Sequence, residues 1–212
     1  MIMKTTSAKK NILKKIKQAL DKPVPLPFKQ AEFNPNFFVN NKNDLDVQFA
    51  ENFSTLQGRF SFCSNDKELV GQLETLFTAR QWAKIFLNEP QLLKSLTSQG
   101  LKITIETNLA ECDAAITSCE YLVARTGSII LSSMQNSRSA SVYAPVHICI
   151  AYTNQLVFDI NDGIELLKKK YISGFPSSIT FASGPSRTAD IEKTLVTGVH
   201  GPKEVFCFLV QS

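Results

Sequence analysis

The sequence has no cysteines spaced for a metal or a cluster. Its five cysteines, Cys63, Cys112, Cys119, Cys149 and Cys207, are scattered, and no two form Cys-x-x-Cys. That argues against an iron–sulfur or zinc site built from this chain alone, and no metal ligands are assigned. Four of them lie in apolar or half-apolar runs, where cysteine acts as a small core hydrophobe. An odd number of cysteines with no secretory signal favours a reducing cytoplasm. Long apolar runs are missing as well. The longest, Val205 to Val210, is far short of the ~18 residues that suggest a membrane span, so no transmembrane segment is expected. No Gly-x-Gly-x-x-Gly or Walker pattern stands at a strand-to-helix turn, which removes the usual support for a dinucleotide or P-loop site. Histidine is limited to His147 and His200, and arginine to five residues.

What is present is ordinary for a globular chain. The 212 residues suit one domain with a substantial core, and 43% hydrophobic and 20% charged residues are typical values. The net charge of +4 is unevenly placed. Residues 1–22 hold seven lysines and one aspartate, a net +6, while the remainder is −2. A nucleic-acid surface is basic across a face of its domain, so no nucleic-acid partner is expected.

Residues 8–20 have the spacing of an amphipathic helix, with Ile12, Leu13, Ile16, Ala19 and Leu20 on one stripe and lysines opposite. Such a helix either packs on its own domain or a sister subunit, or lies on a membrane surface or an acidic partner. Its lysine-rich stretch has spaced apolar residues, unlike a signal peptide. Pro23, Pro25 and Pro27 end it in a stiff spacer, and an Asn-rich loop over 28–41 with Phe33, Phe37, Phe38 and Val39 as anchors follows. Residues 1–41 thus form a basic arm and linker, and 42–212 an α/β domain. Helices are expected over 45–56, 66–79, 90–98 and 159–171, and strands over 59–63, 83–87, 102–105, 114–117, 121–124, 128–131, 146–152, 156–157, 179–182 and 204–210. Asn65 and Glu68 have capping-box spacing, and Arg125-Thr126-Gly127 suits a tight hairpin. Residues 132–141 read as a polar loop. The alternation predicts a mainly parallel, modified Rossmann-like sheet covered on both faces.

The most informative stretch is Ser183-Gly184-Pro185-Ser186-Arg187-Thr188-Ala189-Asp190-Ile191-Glu192, followed by Gly198-Val199-His200-Gly201-Pro202. It reads as strand, polar turn, then helix over 190–196, with Thr188 as cap. Unpaired N–H groups at a helix start attract anions, and Arg187 adds a guanidinium fork. The predicted anion pocket is lined by Ser183, Gly184, Ser186, Arg187 and Thr188, joined by Thr126, Gly127 and Arg138 if the three arginine-bearing turns meet at one sheet edge. The alternative is that Arg125, Arg138 and Arg187 form surface ion pairs. His200, in a Gly-flanked turn, is a candidate acid/base. Asp190 and Glu192 are general acid/base candidates if buried, and otherwise partners of the helix dipole. His147 reads as a core or cap histidine. No base accompanies Ser183 or Ser186, so a serine nucleophile is unsupported.

This stretch resembles the signature of the LUD-domain family, in particular its single-domain lactate-utilization C branch. Ala124-Arg125-Thr126-Gly127-Ser128, Arg138 and Pro145-Val146-His147-Ile148 match in the same order, so that the resemblance covers roughly residues 110–210. It implies a fold similar to that of sugar-phosphate isomerases and CoA transferases. It also implies an accessory subunit in the oxidation of L-lactate to pyruvate, with iron–sulfur clusters in partner proteins and none bound by this chain alone. A small anionic ligand and self-association into a homo-oligomer fit the same picture. The family usually has an acid where this chain has Arg125, which disfavours a covalent mechanism there. The alternative is a free-standing enzyme of that fold acting on a phosphorylated or CoA-linked substrate.

Overall fold

Alternating apolar periods build the domain. The computed structural model describes residues 7–20, 44–134, 139–188 and 196–212. Two units, Met1–Asn40 and Asn41–Ser212, are distinguished. In the first, helix α1 (Ser7–Leu20) presents Ile12, Leu13 and Ile16 as an exposed apolar stripe. The proline-rich and Asn-rich stretch expected over 23–41 lies outside the described residues.

The second unit runs α2 (Leu45–Thr55), β1 (Arg59–Cys63), α3 (Asp66–Arg80), β2 (Lys84–Phe86), α4 (Pro90–Ser98), β3 (Thr104–Glu106) and β4 (Ala114–Ser118). It continues with β5 (Tyr121–Val123), β6 (Ser128–Ser132), α5 (Ala140–Tyr143), β7 (Val146–Tyr152), β8 (Leu156–Val157) and α6 (Ile160–Lys170). It closes with β9 (Ile179–Ala182), β10 (Arg187–Thr188), β11 (Val196–Thr197) and β12 (Glu204–Val210). Local signals account for several boundaries. The Asn65 side chain accepts from Glu68 N–H at 2.9 Å to start α3, and Asp159 with Asp162 forms a capping box on α6. Three lysines, Lys168 to Lys170, fill the last turn of α6, where the helix dipole favours cations.

Six strands form a parallel sheet in the order β1-β12-β7-β4-β2-β3. Its central strands β7 and β12 are almost continuously apolar, as strands buried on both faces must be. One face, with Ile116, Ile148, Ile150 and Phe208, packs under Leu69 and Leu73 of α3 and Leu92 and Leu96 of α4. The opposite face carries small residues, Cys149, Ala151 and Cys207, and packs against Phe49 and Phe53 of α2 and Leu122, Ile129 and Leu131. Those last three belong to a second sheet, ordered β8-β5-β6-β9, in which only the β5–β8 pair is parallel. So the α/β class and both covered faces agree with the sequence, but half of the second cover is sheet, not helix. All five cysteines are buried free thiols. Among the described residues no helix is long and apolar enough to cross a membrane.

Three expectations need correction. The strand expected at 102–105 lies at Thr104–Glu106, because its register is set by pairing Lys84 with Thr104. The polar loop ends early. Ala140–Tyr143 is a helical turn, anchored where Ala140 and Ala144 pack with Ala115, Phe86 and Cys112. Thr188, expected to cap a helix, pairs instead with Val196, and Arg187 with Thr197, in the antiparallel ribbon β10–β11. β-branched residues on both strands suit that ribbon, and Gly198 N–H fastens it by donating to Ser186 O at 2.9 Å. Val196 is therefore not helical, and residues 190–195 of the expected helix lie outside the described residues.

Candidate functional site

The central motif lies at the amino ends of the parallel strands, not in the carboxyl-end crevice that α/β sheets usually use. β9, which leads into it, belongs to the second sheet. The motif ends one residue before β12, where Ser186 N–H donates to Pro202 O at 3.0 Å and Lys203 N–H to Pro145 O at 2.8 Å. At the opposite, carboxyl end, Glu89 accepts from Ser118 N–H at 3.0 Å and Tyr152 donates to Asp66 at 3.2 Å. No local pattern in the sequence points to these pairs.

Close approaches hold the motif against the end of α2. Gly127 has φ +56°, and a Cβ there would lie 2.5 Å from Phe53 N. Gly184 has φ +97°, and a Cβ there would lie 2.4 Å from Leu56 O. Both positions therefore demand glycine. Asn52 Nδ2 donates to the carbonyls of Ala124 and Arg125 at 2.8 and 3.2 Å, which fixes the β5–β6 turn on the helix. The Ser128 and Ser183 hydroxyls meet at 2.7 Å. Gly201 packs on Ser186, whose Cβ would be 2.7 Å from a Cβ at that glycine. Thr126, Gly127, Ser183, Gly184, Ser186, Arg187 and Thr188 are thus brought into one cluster with Gly198–Pro202.

The electrostatics differ from those of a helix-start anion site. Gly184 and Arg187 face the carbonyl end of α2, and Arg187 Nη2 donates to Leu56 O at 3.2 Å. That end of a helix favours cations, so Arg187 both caps it and offsets its negative partial charge. Arg187 is otherwise exposed, as is His200. The buried Oγ1 of Thr126 has no hydrogen-bond partner among the described residues. Arg138, Asp190 and Glu192 lie outside the described residues.

Arg125 is engaged elsewhere. Its Nε and Nη2 reach Asp159 at 2.7 and 3.2 Å, a bidentate pair at the start of α6. The Arg125 hydrogen bond holds the Asp159 carboxyl below its ordinary range. A depressed carboxyl contributes stability above the unfolded value of about 3.9 and loses it as pH falls through the folded one. Urea midpoints of wild type and Arg125→Met should therefore differ at pH 5 to 7 and converge below about pH 4. A gap that stays constant down to pH 3 would refute the pairing as its source.

Two buried polar groups have partners that the sequence does not indicate. His147 is fully buried in β7, with Nε2 2.8 Å from Thr117 Oγ1, and burial pushes its imidazole down to about 4. Glu120 is buried with Ser132, Lys170 and Tyr171 around its carboxylate. Their partners are 12 to 51 residues away, so no local pattern could have announced them.

Comparison with known proteins extends these observations. The LUD domain profile matches residues 47–210. A lactate utilization protein C of Deinococcus radiodurans is 36% identical over 104 residues, which is 48% of this chain and 48% of that protein. One from Halalkalibacterium halodurans is 39% identical over 103 residues, 47% of this chain and 44% of that protein. One from Bacillus subtilis is 33% identical over 111 residues, 50% of this chain and 46% of that protein. The chain aligns with about half the length of the curated relatives it matches. The crystal structure of a DUF162 family protein from Deinococcus radiodurans shares the fold, with a TM-score of 0.60 at 20% identity over 78% of this chain and 96% of that one.

Proposed function

The chain belongs to the LUD-domain family, and on that premise we propose that it is an accessory subunit of a lactate-utilization system, holding a small anion at the cluster of residues 126–128, 183–188 and 198–202. The observation that carries this is convergence. Segments 126–128 and 183–188 approach the end of α2 together, with Ser128 and Ser183 hydroxyls paired, Arg187 donating to Leu56 O and the Thr126 hydroxyl without a partner among the described residues, which supports a site rich in donors there. Such donors suit a carboxylate or phosphate. Relatives named lactate utilization protein C point to lactate or pyruvate as the acid.

Oxidising lactate to pyruvate removes two electrons, which need an acceptor. We place the iron–sulfur clusters that take them in partner proteins of a cytoplasmic complex. This chain's own residues do not suit a cluster. Its cysteines are buried in the core, and among the described residues no three His, Cys, Asp or Glu side chains are grouped to share a metal.

The test is a thermal-shift titration with L-lactate, pyruvate, phosphate, sugar phosphates and acyl-CoA. A ligand at ~100 times its Kd stabilises by roughly 2.7 kcal/mol. The expected result is a shift with lactate or pyruvate that Arg187→Ala abolishes. Stabilisation by sugar phosphate or acyl-CoA alone would instead favour a free-standing enzyme, whose turnover Asp190→Asn or Glu192→Gln should remove. Failure to capture cluster-bearing neighbours in a pull-down, together with normal growth on lactate after deletion, would sink the subunit role.

A further inference from the structure

The pair Thr117–His147 has no part in the anion cluster so far, yet it lies beside it. His147 is the second residue of β7, in register with Ala115 of β4 and Val205 of β12. Val146, Ile148 and Ile150 point to the α3–α4 face, so alternation sends His147 to the face shared with Cys149 and Ala151. Helix α5 packs on that side, with Ala140 and Ala144 against Ala115. The same helix reaches the motif, since the Val142 carbonyl oxygen is 3.8 Å from where a Cβ on Gly201 would stand. The turn after α5 accepts from Lys203 through Pro145 O. Cluster and imidazole thus occupy one end of one sheet.

The imidazole is incomplete. Nε2 meets Thr117 Oγ1 at 2.8 Å, but Nδ1 is buried with no hydrogen-bond partner among the described residues. Both side chains are almost wholly buried, Thr117 at 1% and His147 at 0% exposure. Buried polar atoms are paired in the great majority of cases, so an orphan one needs a reason. Burial also holds the ring neutral. A neutral ring offers one hydrogen bond and no charge, which suits an alcohol or ketone oxygen better than a carboxylate.

We propose that Thr117 and His147 form the uncharged end of the ligand site, where Nδ1 bonds the hydroxyl of a 2-hydroxy acid and the carbonyl of the matching 2-oxo acid. The choice of acid rests on the small-anion function above. The chemistry is a tautomer switch. If Nε2 carries the proton and donates to Thr117 Oγ1, Nδ1 has a free lone pair and accepts from a ligand hydroxyl. If Thr117 donates to Nε2, Nδ1 carries the proton and donates to a ligand carbonyl. The ring proton is lost from Nε2 and regained at Nδ1 by exchange with water as one acid replaces the other, and with rotation of the Thr117 hydroxyl one site then holds both the alcohol and the ketone.

Nitrogen NMR of the ¹⁵N-labelled full chain distinguishes the tautomers directly. L-Lactate should give the Nε2–H form of His147, and pyruvate the Nδ1–H form. His147→Gln should weaken both acids about tenfold, the worth of one net hydrogen bond, and leave phosphate binding unchanged. Binding of the acids with an unperturbed ring, or with the same tautomer in both complexes, overturns this inference and leaves the anion site standing. Phosphate binding without either acid does the same. Loss of all anion binding overturns the inference and the function together. The spectra use wild-type protein, so they decide the matter even if His147→Gln fails to fold.

Discussion

Lys170→Met should lower the unfolding free energy by about 3 kcal/mol, measured by urea denaturation with the slope unchanged. Lys170 Nζ is 2.8 Å from Glu120 Oε2, and the Glu120 side chain has no exposed surface. Tyr171 donates to the other oxygen at 2.8 Å, and Ser132 joins it there. Removing the lysine leaves a carboxylate in the core with only neutral donors. Breaking a buried pair from one side typically costs about 3–5 kcal/mol. The low end applies because the lysine itself is 43% exposed. Glu120→Gln should cost less, about 1 kcal/mol, since the amide keeps an acceptor and the lysine can turn to water. The double variant should recover much of the loss, because no unpaired charge remains. A Lys170→Met cost below about 1 kcal/mol would show that the carboxylate does not depend on this partner.

The same pair matters to the candidate site. Ser132 ends β6 and Ser128 begins it, and Ser128 meets Ser183 at 2.7 Å. One end of this short strand is thus anchored at Glu120 and the other presents a hydroxyl to the motif. Weakening the anchor frees the strand that positions the cluster. Anion affinity should therefore fall in Lys170→Met at denaturant concentrations where the domain is still folded.

Readable features of the chain are those encoded by neighbours in sequence. Asn65 before Glu68, Asp159 before Asp162, and Gly127 in a tight hairpin each satisfy a local backbone need. Strands β7 and β12 announce their burial by composition alone. What could not be read depends on pairing at a distance. The second sheet forms because Cys149, Ala151 and Cys207 are small enough to admit it. From sequence they look the same as positions that would receive a helix. The motif misleads for a related reason. Thr188 followed by acids has the composition of a helix start, yet the β-branched pair Thr188–Val196, Thr197 opposite Arg187 and the Ser186–Gly198 hydrogen bond draw Arg187 and Thr188 into a ribbon. The residues of the cluster were legible as a set, since Gly, Ser and Arg mark turns that approach backbone closely. Its position at the amino ends was not, because that follows from β9 joining a different sheet. His147 reads as a core residue and is one, but nothing local shows that one of its nitrogens lacks a partner among the described residues.

Acid should expose that nitrogen's environment. Between pH 6.5 and about 4 the domain should lose about 3 kcal/mol through His147. Burial holds the folded ring at about 4, against an ordinary value of 6.5, and each pKa unit is worth about 1.4 kcal/mol. The sign follows from proton uptake. In this window the unfolded chain binds a proton that the folded one does not, so unfolding is favoured as pH falls. The contribution is complete above about 6.5 and levels off below about 4, where the folded ring also charges. Its register partners Ala115 and Val205 carry no charge to offset this. Asp159 acts only below the window, so the two effects separate. In His147→Gln the slope of stability against pH should flatten between 6.5 and 4, whatever the variant costs at neutral pH. An unchanged slope would exclude His147 as the source. Ligand binding has a different window, because a ligand on Nδ1 meets only the folded, neutral ring. Affinity for lactate or pyruvate at His147 should hold from pH 6.5 to near 4 while the fold weakens, and should fail once the folded ring takes its proton.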